Sequence, residues 1–488
     1  MTLGERIRHG TKWLVLGGLS SQVLQFAFGV VLARLLLPED FGLLVTVQIF
    51  TGFVGMIASA GMGEATVQAK EVSERDYETL FAVQLAIGVV IYAGFFLIAP
   101  WFARWFGHPI YEPLLRVSAL SFLIRPFSAN PGVRLRRAMR FKETAVIGFM
   151  SMIFTGVLSI FWAWQGWGVW SLVLSGLAGA VLSALLLSWR APWRPIPRYH
   201  PQSARRLGAY GAKNVLNELL VYFRAQTPNF LITKTLGPAA VGLYNKADSL
   251  SDMPLRLLGG STYQTVFRAM SQVQDDVNQS RYLYVRTLTL LAFYTFPAFL
   301  ALGFAAEPFV VALYGEKWQA AAWPLALFCL AGPFRLLEIV SGALIAAQNR
   351  LGRESILQGQ AWMLLTVACL VVASYGIHVI AIAVLAVAVV HGLRMCALAL
   401  STIGSSWQAV WQALAAVLRL CAVEACVLLA VSQLTRELGL TSPFLQLPLI
   451  AGTGLAAYAM LALLKPPAPL RSEANRWRKL VGLSPLPA

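Results

Sequence analysis

Long apolar segments alternate with short turns and charged stretches along the whole chain. A helix needs about 20 mostly apolar residues to cross the hydrocarbon core of a membrane. By that criterion the sequence predicts an all-α polytopic membrane protein with about fourteen transmembrane helices. The predicted spans lie near 13–37, 41–62, 79–105, 113–133, 144–165, 168–189, 208–235, 240–267, 284–313, 320–347, 354–375, 378–400, 411–433 and 444–464.

Composition supports this reading and excludes several classes of protein. The chain has 488 residues, of which 58% are hydrophobic and 12% charged, whereas a soluble domain has about 25% charged residues. A single soluble enzyme domain, a disordered chain and a disulfide-stapled protein are therefore excluded. The five cysteines lie in apolar stretches without the spacing of a metal or redox motif, so they are interpreted as small hydrophobic residues.

The basic residues predict the orientation of the chain. Its net charge is +17, which in a soluble protein would suggest a nucleic-acid partner, but in a membrane protein loop cations set topology. With an even number of spans, most cations fall on one side, so both termini are predicted to be cytoplasmic, and no nucleic-acid partner is expected. The cations predicted to face the cytoplasm are Arg134, Arg136, Arg137, Arg140, Lys142, Arg190, Arg194, Arg198, Arg205, Arg206, Lys465, Arg471, Arg476, Arg478 and Lys479.

Two similar segments indicate an internal repeat. The first predicted span closes with RLLLP (34–38) and the seventh with KTLGP (234–238), and Gly-Leu pairs follow at 42–43 and 242–243. Both spans run in the same direction, so the repeat is parallel, with its axis along the membrane normal. The Pro- and Arg-rich segment 190–207 is the natural linker between the two halves.

Ionisable residues inside the predicted spans are the main candidates for function, because such groups are costly in hydrocarbon and usually face a cavity. In the eighth span Asp248, Asp252 and Arg256 follow at four-residue steps and form one stripe, which Pro254 interrupts. Arg335 and Glu338 share a face of the tenth span. Arg125-Pro126 and Pro131 predict a broken fourth span.

Two interpretations of these charges stay open. They are either ion pairs between helices, such as Arg335 with Glu338, or a positively charged lumen for a polyanionic head group such as a diphosphate or an acidic sugar. The cationic excess favours the lumen. The candidate substrate-binding residues are Arg125, Arg224, Lys246, Arg256 and Arg335, and the candidate ion-coupling carboxylates are Glu218, Asp248, Asp252 and Glu338.

Motifs of catalysis do not stand out. The sequence contains no HExxH, Walker or GxSxG motif, and its five histidines are spread over a tail, loops and one late span. We therefore expect a protein that is not an enzyme and that has neither cofactor nor metal. Tryptophans near the predicted outer ends of the spans are interpreted as an aromatic belt; they are Trp101, Trp105, Trp164, Trp167, Trp318 and Trp323.

Several turns and charged stretches carry a family resemblance. They are 35–42 (LLLPEDFG), 134–141 (RLRRAMRF), the stretch 244–276, 313–318 (LYGEKW) and 348–353 (QNRLGR). In these features the chain resembles the Wzx-type polysaccharide flippases, especially the colanic acid branch, within the multidrug/oligosaccharidyl-lipid/polysaccharide exporter (MOP) superfamily. The similarity extends over nearly the full chain.

The resemblance implies two pseudo-symmetric six-helix lobes plus two C-terminal helices. The implied organisation is an N-terminal lobe at 1–189, a cytoplasmic linker at 190–207, a C-terminal lobe at 208–400, the last two spans within 401–464 and a cytoplasmic tail at 465–488. It also implies a cationic lumen and a place in the bacterial inner membrane.

The implied activity is the flipping of undecaprenyl-diphosphate-linked oligosaccharide from the cytoplasmic to the periplasmic leaflet. Alternating access coupled to an ion gradient would drive it, and a polysaccharide polymerase and a chain-length regulator are candidate partners. One alternative is a lipid II-type flippase of the same superfamily. The other is an O-antigen polymerase or ligase, an enzyme expected to have a long outer loop, whereas every predicted outer loop here is short.

Overall fold

The chain folds into helices joined by short turns in a computed structural model. The structure describes residues 20–59, 62–191, 193–259 and 262–485, and no strand occurs in these ranges. The beginning of the first predicted span, residues 13–19, lies outside them. The chain divides into two compact units, Met1–Gly242 and Leu243–Ala488.

The first unit is built from nine described helices and the start of a tenth. They are α1 (Ser20–Leu35), α2 (Pro38–Ser59), α3 (Met62–Gln68), α4 (Glu74–Phe106), α5 (Tyr111–Ala119), α6 (Ser121–Arg137), α7 (Phe141–Trp164), α8 (Val169–Arg190), α9 (Pro201–Leu236) and the beginning of α10 (Pro238–Ser251). Helix α9 packs on α2, α3 and α4.

The second unit begins within α10 and contains the remaining described helices. They are α11 (Met253–Gly259), α12 (Thr262–Gln272), α13 (Val277–Phe304), α14 (Ala306–Tyr314), α15 (Ala322–Ala347), α16 (Leu351–Val372), α17 (Ile377–Ile403), α18 (Trp407–Glu437), α19 (Pro443–Leu447), α20 (Thr453–Leu464) and α21 (Arg471–Leu480). A 3₁₀ helix, Glu316–Ala321, precedes α15, and a π-helical segment, Pro448–Gly452, joins α19 to α20.

Ten helical segments of the described chain are long and apolar enough to cross a membrane. They coincide with ten of the fourteen predicted spans, so the all-helical polytopic fold is confirmed and the number fourteen is not. The first predicted span is described only as the shorter apolar helix Ser20–Leu35. The fourth, seventh and eighth are too polar or too broken to reach the same criterion, because they carry the charges noted above.

The break in the fourth predicted span lies earlier than the prolines predict. Helix α5 ends at Ala119 and α6 begins at Ser121, and Pro126 and Pro131 both lie inside α6. Pro126 has no N–H to donate to the Phe122 carbonyl one turn before it. That carbonyl instead faces α4 so closely that a Cβ at Gly88 would overlap it. The prolines therefore expose a carbonyl for close packing and do not end the helix.

Pro254 interrupts the eighth predicted span as expected. Helix α10 ends at Ser251 and α11 begins at Met253, because Pro254 cannot donate to the carbonyl of Leu250. The division of the chain at Gly242 does not coincide with the predicted linker at 190–207. The two six-helix lobes and their boundaries therefore stay a prediction from the repeat and the resemblance.

The repeat segments meet each other in the first unit. A Cβ at Gly42 would overlap the carbonyl oxygen of Pro238, and a Cβ at Gly242 would overlap that of Pro38. Each proline begins a helix, and each glycine lies one turn into it. The two related turns thus cross by reciprocal backbone contact, which only glycine permits.

We expect Gly242→Ala to destabilise the protein by about 1–3 kcal/mol, because the added methyl group forces backbone to move in a packed interior. Thermal loss of the monodisperse gel-filtration peak of the purified protein measures this. The matched control is Gly94→Ala in α4, where no atom lies within 4 Å of the new Cβ. Equal melting temperatures for the two variants would show that the crossing does not need glycine.

Candidate functional site

One face of α10 presents one aromatic and two acidic side chains to α15 in the second unit. Tyr244, Asp248 and Asp252 are spaced by four residues and therefore lie along one helix face. Tyr244 is buried and packs edge-on against Phe328 of α15, with ring centroids 5.1 Å apart. Arg335 lies seven residues, or about two helical turns, beyond Phe328 on α15. Asp252 lies about two turns beyond Tyr244 on α10, so the two helices stay side by side over this length.

The guanidinium of Arg335 joins both aspartates across this interface. Its Nη2 donates to Asp248 Oδ1 at 2.8 Å and its Nη1 to Asp252 Oδ1 at 2.7 Å. The side chain of Arg335 is 20% exposed, and those of the two aspartates are about one-third exposed. The planar fork of arginine can hold two carboxylates at once, which a lysine ammonium cannot do with the same fixed geometry.

Asp252 lies at the break between α10 and α11 and has a second cationic partner. Its Oδ2 is 3.4 Å from Nη2 of Arg256, one turn further along, and the side chain of Arg256 is exposed. The sequence offers Arg335 with Glu338 as an example of an ion pair, whereas in the structure the guanidinium of Arg335 bonds to Asp248 and Asp252.

Lys246 occupies a different environment on α10. Its Nζ lies 4.5 Å from the ring centroid of Tyr314 and 5.6 Å from that of Trp318. Both aromatic side chains are buried, and they belong to the LYGEKW motif that carried part of the family resemblance. An ammonium over two aromatic faces is stabilised by cation–π attraction.

The buried position of Trp318 corrects one part of the aromatic-belt interpretation. Trp318 has no exposed surface, because it packs against Tyr314 beneath Lys246. The other tryptophans assigned to the belt are exposed, as that interpretation expects; they are Trp101, Trp105, Trp164, Trp167 and Trp323. Position near a span end therefore does not distinguish a lipid-facing tryptophan from one that lines a lysine site.

In the first unit, two polar side chains bond to the backbone of α2. Nη1 of Arg125 donates to the Gly55 carbonyl at 3.1 Å, and the hydroxyl of Tyr222 in α9 donates to the Ile49 carbonyl at 2.6 Å. Arg125 is exposed, whereas Arg224, two residues after Tyr222, is half-buried. Glu218, the remaining candidate carboxylate of α9, is exposed.

Glu338, one turn after Arg335 on α15, belongs to a second cluster. Its Oε1 lies 3.4 Å from Nε2 of His391 in α17 and 3.5 Å from the amide nitrogen of Gln358 in α16. His391, Gln358 and the nearby Glu354 are not among the candidate residues that the sequence suggests. The four-residue spacing of Glu354 and Gln358 on α16 is visible in the sequence, but the pairing of α16 with α17 is not.

The fold defines the class of protein. The structure is similar to the lipid II flippase MurJ in an inward closed conformation, with a TM-score of 0.69 and 14% identity over 97% of this chain and 99% of that one. It is also similar to an inward-facing multidrug resistance MATE family transporter of the MOP superfamily, with a TM-score of 0.62 and 16% identity over 80% of this chain and 98% of that one. The chain is thus a multi-pass membrane protein with the fold of that superfamily.

The family follows from the sequence comparison. The family described as "Polysaccharide biosynthesis protein" matches residues 31–323, and the chain belongs to it. The chain is 24% identical over 356 residues to the lipopolysaccharide biosynthesis protein WzxC of Escherichia coli (strain K12), covering 72% of each. It is 25% identical over 319 residues to the succinoglycan biosynthesis transport protein ExoT of Rhizobium meliloti (strain 1021), covering 65% of this chain and 64% of that one. The resemblance to Wzx-type proteins is confirmed at the level of family.

We expect Arg335→Gln to lower the free energy of unfolding by about 1–3 kcal/mol, because it leaves two half-buried carboxylates without their shared cation. Arg335→Lys should recover part of this loss. Thermal unfolding of the purified variants measures the effect.

Arg268→Gln is the control for the Arg335 series, since Arg268 is exposed on α12. A triple variant with Arg335→Gln, Asp248→Asn and Asp252→Asn removes all three charges together and should be more stable than Arg335→Gln alone. If the single and triple variants unfold at the same temperature, the carboxylates do not depend on Arg335 for compensation.

Proposed function

We propose that this protein moves undecaprenyl-diphosphate-linked oligosaccharide repeat units from the cytoplasmic to the periplasmic leaflet of the bacterial inner membrane. It does so by alternating access coupled to an ion gradient, with both termini in the cytoplasm. Membership of the polysaccharide biosynthesis family and the fold shared with a lipid II flippase support this proposal. The protein acts as a carrier and not as a polymerase or ligase.

The excess of cations in the predicted spans is the observation that carries the proposal. A diphosphate head group leaves water only if cations replace its hydration and counterions. In the second unit Lys246 lies on α10, Arg256 on α11 and Arg335 on α15, and the described salt bridges of the two arginines are to Asp248 and Asp252. A cation-exporting carrier would need the opposite balance of charge.

Roles within this cluster differ by their surroundings. Arg256 is exposed, and the aromatic rings beneath Lys246 stabilise its ammonium without neutralising the charge. We assign these two to contact with the diphosphate. Arg335 is a positioning residue, because it holds Asp248 and Asp252 at the helix break from which Arg256 projects. In the first unit, Arg125 and Arg224 stay the candidate substrate-binding residues that the sequence predicts.

The direct test locates the lipid-linked oligosaccharide in spheroplasts of a strain that lacks the protein. A lectin or glycosidase confined to the periplasmic face reports access to the sugar. If the protein is the flippase, intact repeat units accumulate on the inner leaflet, and the wild-type gene restores access. If the units reach the outer leaflet but stay unpolymerised or unligated, the protein acts after flipping, and the polymerase or ligase alternative replaces this one.

We expect Arg224→Ala to abolish this access while the protein stays in the membrane at normal abundance, because the variant removes a cation from the diphosphate path. Arg224→Lys recovers part of the activity if charge alone is needed, and little if a bidentate phosphate contact is required. Arg205→Ala is the matched control, since Arg205 is exposed on the same helix. Normal export by Arg224→Ala at equal abundance would exclude Arg224 as a substrate ligand.

A further inference from the structure

The second unit contains a largely buried cluster of titratable groups that the substrate site does not use. His391 of α17 is 2% exposed, and its Nε2 lies 3.4 Å from Oε1 of Glu338 on α15, whose side chain is 18% exposed. Gln358 of α16 is 3% exposed, and its amide nitrogen approaches the same oxygen at 3.5 Å. Glu354, one turn before Gln358, is 6% exposed. Three helices therefore converge on one carboxylate.

The second carboxylate lies beside a glycine of α15. A Cβ at Gly342, one turn after Glu338, would lie 3.5 Å from Oε1 of Glu354 and 3.7 Å from Cε of Met395. Met395 in turn lies one turn after His391 on α17. Residues four apart share a helix face, so the same faces of α15, α16 and α17 hold both carboxylates and the imidazole.

The groups are arranged in depth along the helices. Helix α15 ends, α16 begins and α17 ends at the same end of this three-helix set, since consecutive helices run antiparallel through short turns. At 1.5 Å per residue, Glu354 lies about 5 Å from that end, Gln358 about 10 Å, Glu338 about 14 Å and His391 about 18 Å. Two carboxylates, an amide and an imidazole therefore follow one another from the end of the three-helix set towards its middle, and the amide of Gln358 lies between the carboxylates as a hydrogen-bonding group.

Neighbouring charged and titratable groups are engaged elsewhere or exposed. Arg335 on α15 bonds to Asp248 and Asp252, and Arg394 on α17 donates to Gln360. The hydroxyl of Tyr284 on α13 is bonded to Ser341 and Cys396, and Arg353 on α16 and Arg268 on α12 are exposed.

Proton binding is the chemistry that fits this cluster. Two carboxylates and an imidazole that lie close together in a largely buried space can share a proton, and such sharing limits the net charge, which is costly there. A histidine beside a carboxylate is a typical proton-relay pair within a membrane. Among the described residues, no group of His, Cys, Asp and Glu has the geometry to hold a metal ion.

We propose that Glu338 and His391, with Gln358 and Glu354 beside them, bind the coupling proton of this carrier. This proposal rests on the proposed function and names its coupling ion. Glu338 lies one turn from Arg335 on α15, so a proton on Glu338 changes the charge beside the cluster that holds α10 at its break. Proton binding and release at Glu338 would thereby bias the substrate site without any direct contact with the head group.

The site itself is tested without transport. Infrared difference spectra of the purified full chain in detergent, recorded across a pH titration in H₂O and D₂O, report protonated carboxyl groups. We expect a titrating carboxyl band that is lost in Glu338→Gln, kept at a shifted position in Glu338→Asp, and unchanged in Glu437→Gln, whose carboxyl is exposed on α18. His391→Asn should shift the titration midpoint. His378→Asn, on the exposed side of the same helix, should not.

Coupling is tested with labelled undecaprenyl diphosphate in liposomes of phosphatidylethanolamine and phosphatidylglycerol. We expect a pH gradient, and not a sodium gradient, to accelerate flipping by the wild type, and Glu338→Gln to lose this acceleration while keeping slow exchange. A carboxyl band that persists in Glu338→Gln, or a variant that still responds to the pH gradient, would overturn the proposal. Wild-type protein that flips no probe under any gradient would instead contradict the proposed function, and the infrared titration would still decide whether Glu338 binds a proton.

Discussion

The crossing of the two proline-led turns is the contact on which the architecture of the first unit depends. Lipid is as apolar as the helices, so association within a membrane relies on close backbone approach and on buried hydrogen bonds. The glycines at 42 and 242 permit that approach. One turn after Gly42 on α2, the hydroxyl of Thr46 lies 3.2 Å from that of Thr233, and the hydroxyl of Tyr111 donates to Thr46 at 3.1 Å. A duplicated turn has thus become an interface between its own two copies.

The membrane interior also lacks water, and this explains where the charged residues lie. A buried charge needs a partner from the protein itself, and partners on different helices require those helices to stay in register. In the second unit, Arg335 meets two carboxylates only because α10 and α15 match over two turns, from Tyr244 and Phe328 to Asp252 and Arg335. Beyond the break at Pro254, the exposed Arg256 reaches the second carboxylate oxygen of Asp252 at 3.4 Å.

The sequence predicts the features that depend on local pattern and misses those that depend on which helices are neighbours. Apolar length located ten spanning segments, Pro254 located a break, and spacing placed Asp248 and Asp252 on one face. Spacing also placed Glu338 on a face with Arg335, but a shared face does not specify a partner. Only the packing of α15 between α10 and α17 shows that Arg335 and Glu338 have different partners.

Helix α15 thus carries two charged residues, one turn apart, that face different neighbours. Arg335 is fixed by two strong hydrogen bonds to α10, whereas Glu338 faces an imidazole and an amide at longer distances of 3.4 and 3.5 Å. The first arrangement joins α15 to the break between α10 and α11, and the second places a carboxylate beside an imidazole. The proposed coupling uses both, because a proton bound at Glu338 changes the charge one turn from Arg335 on the same helix.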